Sequence, residues 1–143
     1  MSFLLQYENK LEIDTSPDST ESFKTLAKGI NTMEADPNEE QSQDRYFDGD
    51  GFAETDVIGA QLILSVEGHR YYGDPAQDFI FAKQVEVGPA RRTNFRLTLP
   101  DGATFEGPCT IANIVGPGGA AGEKGAISFE IHFNKKPEYT PGP

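Results

Sequence analysis

Four carboxylates, Asp48, Asp50, Glu54 and Asp56, fall within nine residues, and closely spaced carboxylates are the usual donors of a calcium loop. The register fails that chemistry. Counted from Asp44, glycine falls sixth at Gly49, but the third position is Tyr46 and the twelfth is Thr55, where a bidentate Glu is needed. Counted from Asp48, the sixth position is Ala53. The acids therefore read as a solvated or partner-facing loop, and no metal is expected. His69 and His132 are the only histidines, and neither has partners at zinc-ligand spacing, so both are expected on surface strands.

Other reactive groups are equally poor in context. Cys109 is the single cysteine and sits among apolar neighbours in CTIANIV, which predicts a reduced, buried thiol with no activating base. The glycine-rich segment 116–125 lacks the Lys-Ser/Thr of a phosphate-cradling loop and opens no helix, so it reads as a flexible hairpin connection. No G-x-S-x-G occurs. An enzyme is not expected, nor any cofactor.

The elements that must position these residues are mostly strands. The chain has 143 residues, one domain's worth, with 36% apolar residues, 15 Gly and 10 Pro, which points to a turn-rich β protein. Net charge is −11, which argues against gripping nucleic acid, since phosphate binding needs Lys and Arg to displace counterions. It does not argue against DNA sliding past. Residues 1–50 hold twelve acids and four bases, so the acidity belongs mainly to the N-terminal third. The N-terminus has no secretory pattern and no run reaches membrane-spanning length, so no membrane anchor is expected.

Alternation predicts strands at 10–14, 59–68, 94–100, 103–115 (one long strand, or two interrupted at Gly107-Pro108) and 126–134. Segment 23–35 is ambiguous between helix and strand, and a turn followed by a strand from Ile30 to Ala35 is preferred. Asp74 as N-cap and Pro75 at the first helical position predict one flanking helix over about 75–84, held to the sheet by Phe79 and Ile80. A long acidic loop spans about 36–56. Its aromatics Tyr46, Phe47 and Phe52 would be wasted on a solvated linker, which suggests ordering by a partner. Residues 1–9 carry Phe3, Leu4, Leu5 and Tyr7 as an N-terminal arm. Residues 135–143, with three prolines, read as a C-terminal arm unable to extend the sheet. The expected fold is a mainly β single domain over 1–143, sandwich or barrel-like, with one helix outside. Three segments that a monomer buries poorly favour an assembling subunit.

The chain resembles the major tail, or tail tube, proteins of long-tailed, non-contractile phages of Gram-positive bacteria. The similar features are FKTLAKGI (23–30), YFDGDGFAETDVIGA (46–60), the G-x-x-x-x-G-D-x-A-Q form of GHRYYGDPAQDFI (68–80) and SFEIHFNKKPEYT (128–140). The resemblance implies a β-sandwich whose copies form six-membered rings that stack into a hollow conduit for DNA ejection. It further implies tail tip or baseplate, tape measure and tail terminator proteins as partners, and a place in the virion tail after synthesis in the host cytoplasm. DNA would pass without specific binding.

By that likeness the long loop reaches the next ring, through Asn38, Glu39, Glu40, Asp44, Arg45, Tyr46, Phe47, Asp48, Asp50 and Phe52. The C-terminal arm would add contacts through Lys135, Lys136, Pro137 and Tyr139. Glu67, Arg96 and Glu130 are candidates for the lumen face, where negative charge would keep phosphates from sticking. Alternatives are a tube protein of a contractile tail, phage-like bacteriocin or secretion system, and a β-sandwich carbohydrate- or receptor-binding module using Tyr71 and Tyr72.

Overall fold

The computed structural model describes residues 3–142. The outermost residues of the two expected arms, 1–2 and 143, lie outside the described residues. The chain order is β1 (Lys10–Asp14), β2 (Phe23–Thr25), β3 (Ile30–Asp36), β4 (Glu40–Arg45), β5 (Ala53–Gly59), β6 (Ile63–His69), α1 (Pro75–Phe81), β7 (Arg92–Thr98), β8 (Thr104–Gly118), β9 (Ala126–Phe133) and β10 (Glu138–Thr140). One antiparallel sheet runs β2-β1-β7-β8-β9-β6-β3, and β4 pairs with β5 separately. The two outermost strands, β2 and β3, are consecutive in the chain and joined only by residues 26–29. The sheet must therefore curl until its edges meet, which encloses one face in a barrel-like core and matches the mainly β expectation.

Alternation decides which face is enclosed. On β9, Ile127, Phe129, Ile131 and Phe133 are buried while Ser128, Glu130 and His132 face outward and are half-buried. Phe95 and Leu97 of β7, Ile13 of β1, Leu64 and Val66 of β6 and Ile111 of β8 join them inside. Phe95 and Phe133 meet edge-on with ring centroids 6.3 Å apart. Cys109 is fully buried in this core, and desolvation pushes its thiol pKa up to about 12.

The long β8 is continuous through Gly107-Pro108. Pro108 lies opposite Asn94 on β7, and its carbonyl accepts from the Asn134 amide on the far side. A residue's N and C=O point to the same strand edge, so the missing N–H falls where β10 has ended and β9 begins, and breaks no ladder. The irregularities of β8 lie further on, between Ala112, Val115 and Gly118.

Helix α1 ends at Phe81 instead of near residue 84. Beyond it the amides of Lys83 and Gln84 reach back only three residues, and the Gln84 side chain donates to the Gly116 carbonyl at 2.8 Å. The cap is as expected, with Asp74 accepting from the Gln77 amide at 3.1 Å. Two further expectations are corrected. The C-terminal segment does extend the sheet: β10 pairs with β8 between Pro137 and Pro141, which flank a run just long enough for three residues. The acidic segment after β3 is an ordered β-ribbon, with its polar residues spent on backbone pairing between β4 and β5.

Candidate assembly surfaces

The G-x-x-x-x-G-D-x-A-Q segment sets the body on which the surfaces are mounted. Gly68 lies so close to the Gly29 carbonyl and Ile30 that a Cβ there would sit 2.2 Å from an oxygen. Gly29 in turn has φ +81, a left-handed conformation natural to glycine. Gln77, fully buried, bridges this crossing: its Nε2 donates to the carbonyls of Lys28 and His69 at 2.9 and 3.1 Å. Its Oε1 accepts from the Tyr71 amide at 2.9 Å and from Arg70 Nη1. Arg70 also pairs with Asp78 at 2.9 Å and stacks over Tyr72, its guanidinium 4.4 Å from the ring centroid. The motif thus fixes the helix to the meeting edges of the sheet.

The first surface is the β4-β5 hairpin. β3 and β6 pair up to Asp36 opposite Ile63, and the chain between them leaves the body as a second, twisted-off hairpin. Its root is tied by Asp36, which accepts from the Asn38 amide at 2.8 Å, and by Gln61, whose amide donates to the Pro37 carbonyl and whose Nε2 donates to Phe133 O. Nearly every residue of both strands is exposed, on both faces. At the tip, Gly49 N donates to Tyr46 O and Phe52 N to Gly49 O. Asp50 and Gly51 follow at φ +54 and +87. The DGDG sequence is therefore turn chemistry, since Asp and Gly tolerate the left-handed region. Phe47 is wholly exposed and Phe52 is 79% exposed.

The ten residues expected to act together are split by this geometry. Asn38, Glu39 and Glu40 stand at the root, whereas Asp44, Arg45, Tyr46, Phe47, Asp48, Asp50 and Phe52 cluster at the tip, about 20 Å away at the usual rise per strand residue. Val57 and Ile58, also exposed on β5, were not anticipated, because a ribbon with no buried face shows no alternation to read.

The second surface is the C-terminal segment. Lys135, Lys136 and Pro137 line a groove beside the hairpin root, with Ala60, Leu62 and Phe133. Tyr139 lies apart on β10, its ring 5.0 Å from that of Phe105.

The third is the outward face of the curved sheet. Register places Glu67, Arg96 and Glu130 all on it, although not in contact. Arg96 forms a two-pronged pair with Glu12, at 3.0 and 3.2 Å, and lies over the Phe23 ring. That hydrogen bonding holds the Glu12 carboxyl below its ordinary pKa. Glu130 is likewise lowered, first by His132 at 2.8 Å and then by Asn113. Strands from the N-terminal third add acids here that the strands considered individually do not reveal. The face carries Glu12, Asp14, Glu34, Asp36, Glu67, Glu106, Glu130 and Glu138 against Lys10, Arg92 and Arg96.

At the N-terminus, Phe3 and Tyr7 are 98% and 82% exposed, and Gln6 Nε2 anchors the segment to Met33 O. Among the described residues no group of three or more His, Cys, Asp or Glu is placed to hold a metal ion, and no helix is long and apolar enough to cross a membrane.

No family model matches the sequence, and no curated protein matches it. Solved structures do match. The chain is similar to a subunit of the tail of an empty gene transfer agent particle solved with C6 symmetry, with TM-score 0.75 and 17% identity over 97% of this chain and 100% of that one. It is similar to a chain of the native gene transfer agent virion, with TM-score 0.76 and 16% identity over 97% and 100%. It is also similar to the cap that terminates the tube of the anti-feeding prophage, with TM-score 0.62 and 10% identity over 99% and 93%. The fold is shared with these particle components from end to end.

Proposed function

We propose that this chain is the structural subunit of a phage-like tail tube, in which six copies form a ring and rings stack into a conduit for DNA. The observation that carries this reading is the fold likeness to the C6-symmetric gene transfer agent tail, which leaves no part of that chain unmatched. The hairpin supplies the physical reason. An isolated two-stranded ribbon is at best marginally stable in water, and this one ends in exposed aromatics. It gains a burial partner when a neighbouring copy covers it.

In this reading Asn38 to Phe52 contact the next ring, Lys135 to Tyr139 add contacts between subunits, and the acidic outward face of the sheet with Glu67 and Glu130 lines the bore. Tail tip, tape measure and terminator proteins are the partners, and DNA passes without being bound. The location is the virion tail. Ring closure uses rotation, whereas ring-on-ring contact is heterologous and propagates. Electron microscopy and light scattering on concentrated protein test the reading: rings with six-fold symmetry or hollow tubes are expected, and a strict monomer at every concentration would exclude it.

The likeness to the anti-feeding prophage cap favours one second reading, a tube or cap protein of a contractile, prophage-like particle. A cap yields single rings that do not elongate.

A further inference from the structure

We infer that the groove at the root of each β4-β5 hairpin is the seat for the Phe47 tip of a second copy's hairpin. This rests on the tube reading and names the acceptor surface that the reading leaves open. The groove has a volume of about 500 Å3 and is apolar along Ala60, Leu62 and Pro137, which suits ring-sized side chains. Lys135 and Lys136 supply its charge, and among the described residues neither pairs with a carboxylate. The tip has the complementary composition: a wholly exposed Phe47 beside Asp48 and Asp50, which have no ion-pair partner among the described residues either. Apolar matches apolar and anion matches cation.

The two halves cannot meet within one chain. They lie at opposite ends of the same ribbon, about 20 Å apart at the strand rise. A contact between them therefore joins the distal end of one copy to the proximal end of another, leaving a free tip and a free groove at the ends of the pair. Such a head-to-tail contact propagates. The Gln61 amide and Nε2 tie the groove wall to Pro37 and Phe133, so the seat is already formed in the single chain.

Charge exchange tests the pairing. Lys135→Glu with Lys136→Glu should lower the yield of sedimented tubes by about tenfold or more, as should Asp48→Lys with Asp50→Lys, because each sets like charges together. All four changes combined should restore most of the yield. These positions are exposed, and an unchanged unfolding midpoint would show that each variant folds. Independently, a Phe47→Cys, Pro137→Cys chain should give on oxidation a ladder of linked species beyond the dimer. The groove assignment is overturned if the lysine reversals assemble normally, if the combined variant stays as poor as its parents, or if no ladder forms within tubes. In those cases wild-type tubes still form and the tube reading stands. If the unaltered chain forms neither rings nor tubes, both fall.

Discussion

Single side chains hold this sheet closed, and their chemistry makes specific demands. Gln77 is the clearest case, because its four side-chain hydrogen bonds tie the helix both to the end of β6 and the turn after it, at His69, Arg70 and Tyr71, and to Lys28, 49 residues away. Gln77→Leu keeps the volume but strands two carbonyls and an amide. A loss of about 2–4 kcal/mol is expected, read from urea unfolding. Cys109 makes a separate prediction: burial and a pKa near 12 remove thiolate at neutral pH. A thiol reagent should therefore leave the native protein untouched and modify one thiol per chain after unfolding. Glu12 contributes to the acid limb of stability. Its folded pKa lies below the unfolded value because of Arg96, so its contribution is present above the unfolded carboxylate value and is lost as pH falls through the folded one. Wild-type unfolding midpoints should drop below about pH 4.5 more steeply than those of Glu12→Gln; parallel pH profiles would show that the pair contributes nothing.

At the scale of elements, the hairpin should be separable from the body. β4 and β5 bury almost nothing, so replacing residues 40–59 by a short turn should change the unfolding midpoint little, while tube assembly is lost. Tubes of normal yield from that variant would remove the hairpin from the interface. This separability also explains which elements could be read in advance. β9 was plain because every second residue enters the core, and α1 because Asp74 and Pro75 mark its start. β5, with the sequence AETDVIG, has no dry face and so leaves no two-residue period. β10 was hidden by the prolines beside it, since three residues are too short a run to outweigh them. The curling of the sheet lay beyond local pattern altogether, because it depends on residues 26–29 bringing β2 and β3 together. The hairpin residues expected to make contacts lie on one ribbon, but their division between root and tip is a matter of ribbon length.

For the whole molecule, charge decides how a tube would treat DNA. The chain carries −11, and a ring of six would carry −66, but what matters is the share that meets the bore. The outward sheet face holds eight acids and three bases by register, and one base, Arg96, is already neutralised by Glu12 and Glu106. A bore made from that face repels phosphates at distances up to about the 8–10 Å Debye length in physiological salt. Exposed Glu34 and Glu67 belong to adjoining strands and make no ion pair among the described residues, so reversing them should disturb the fold least. Tubes of Glu34→Lys, Glu67→Lys should retain short duplex DNA that resists nuclease, and the retention should fall steeply with salt as counterions compete. Wild-type tubes should retain none. DNA that binds the variant yet remains open to nuclease would place this face on the outside of the tube, and the acidic bore would then have to come from other loops.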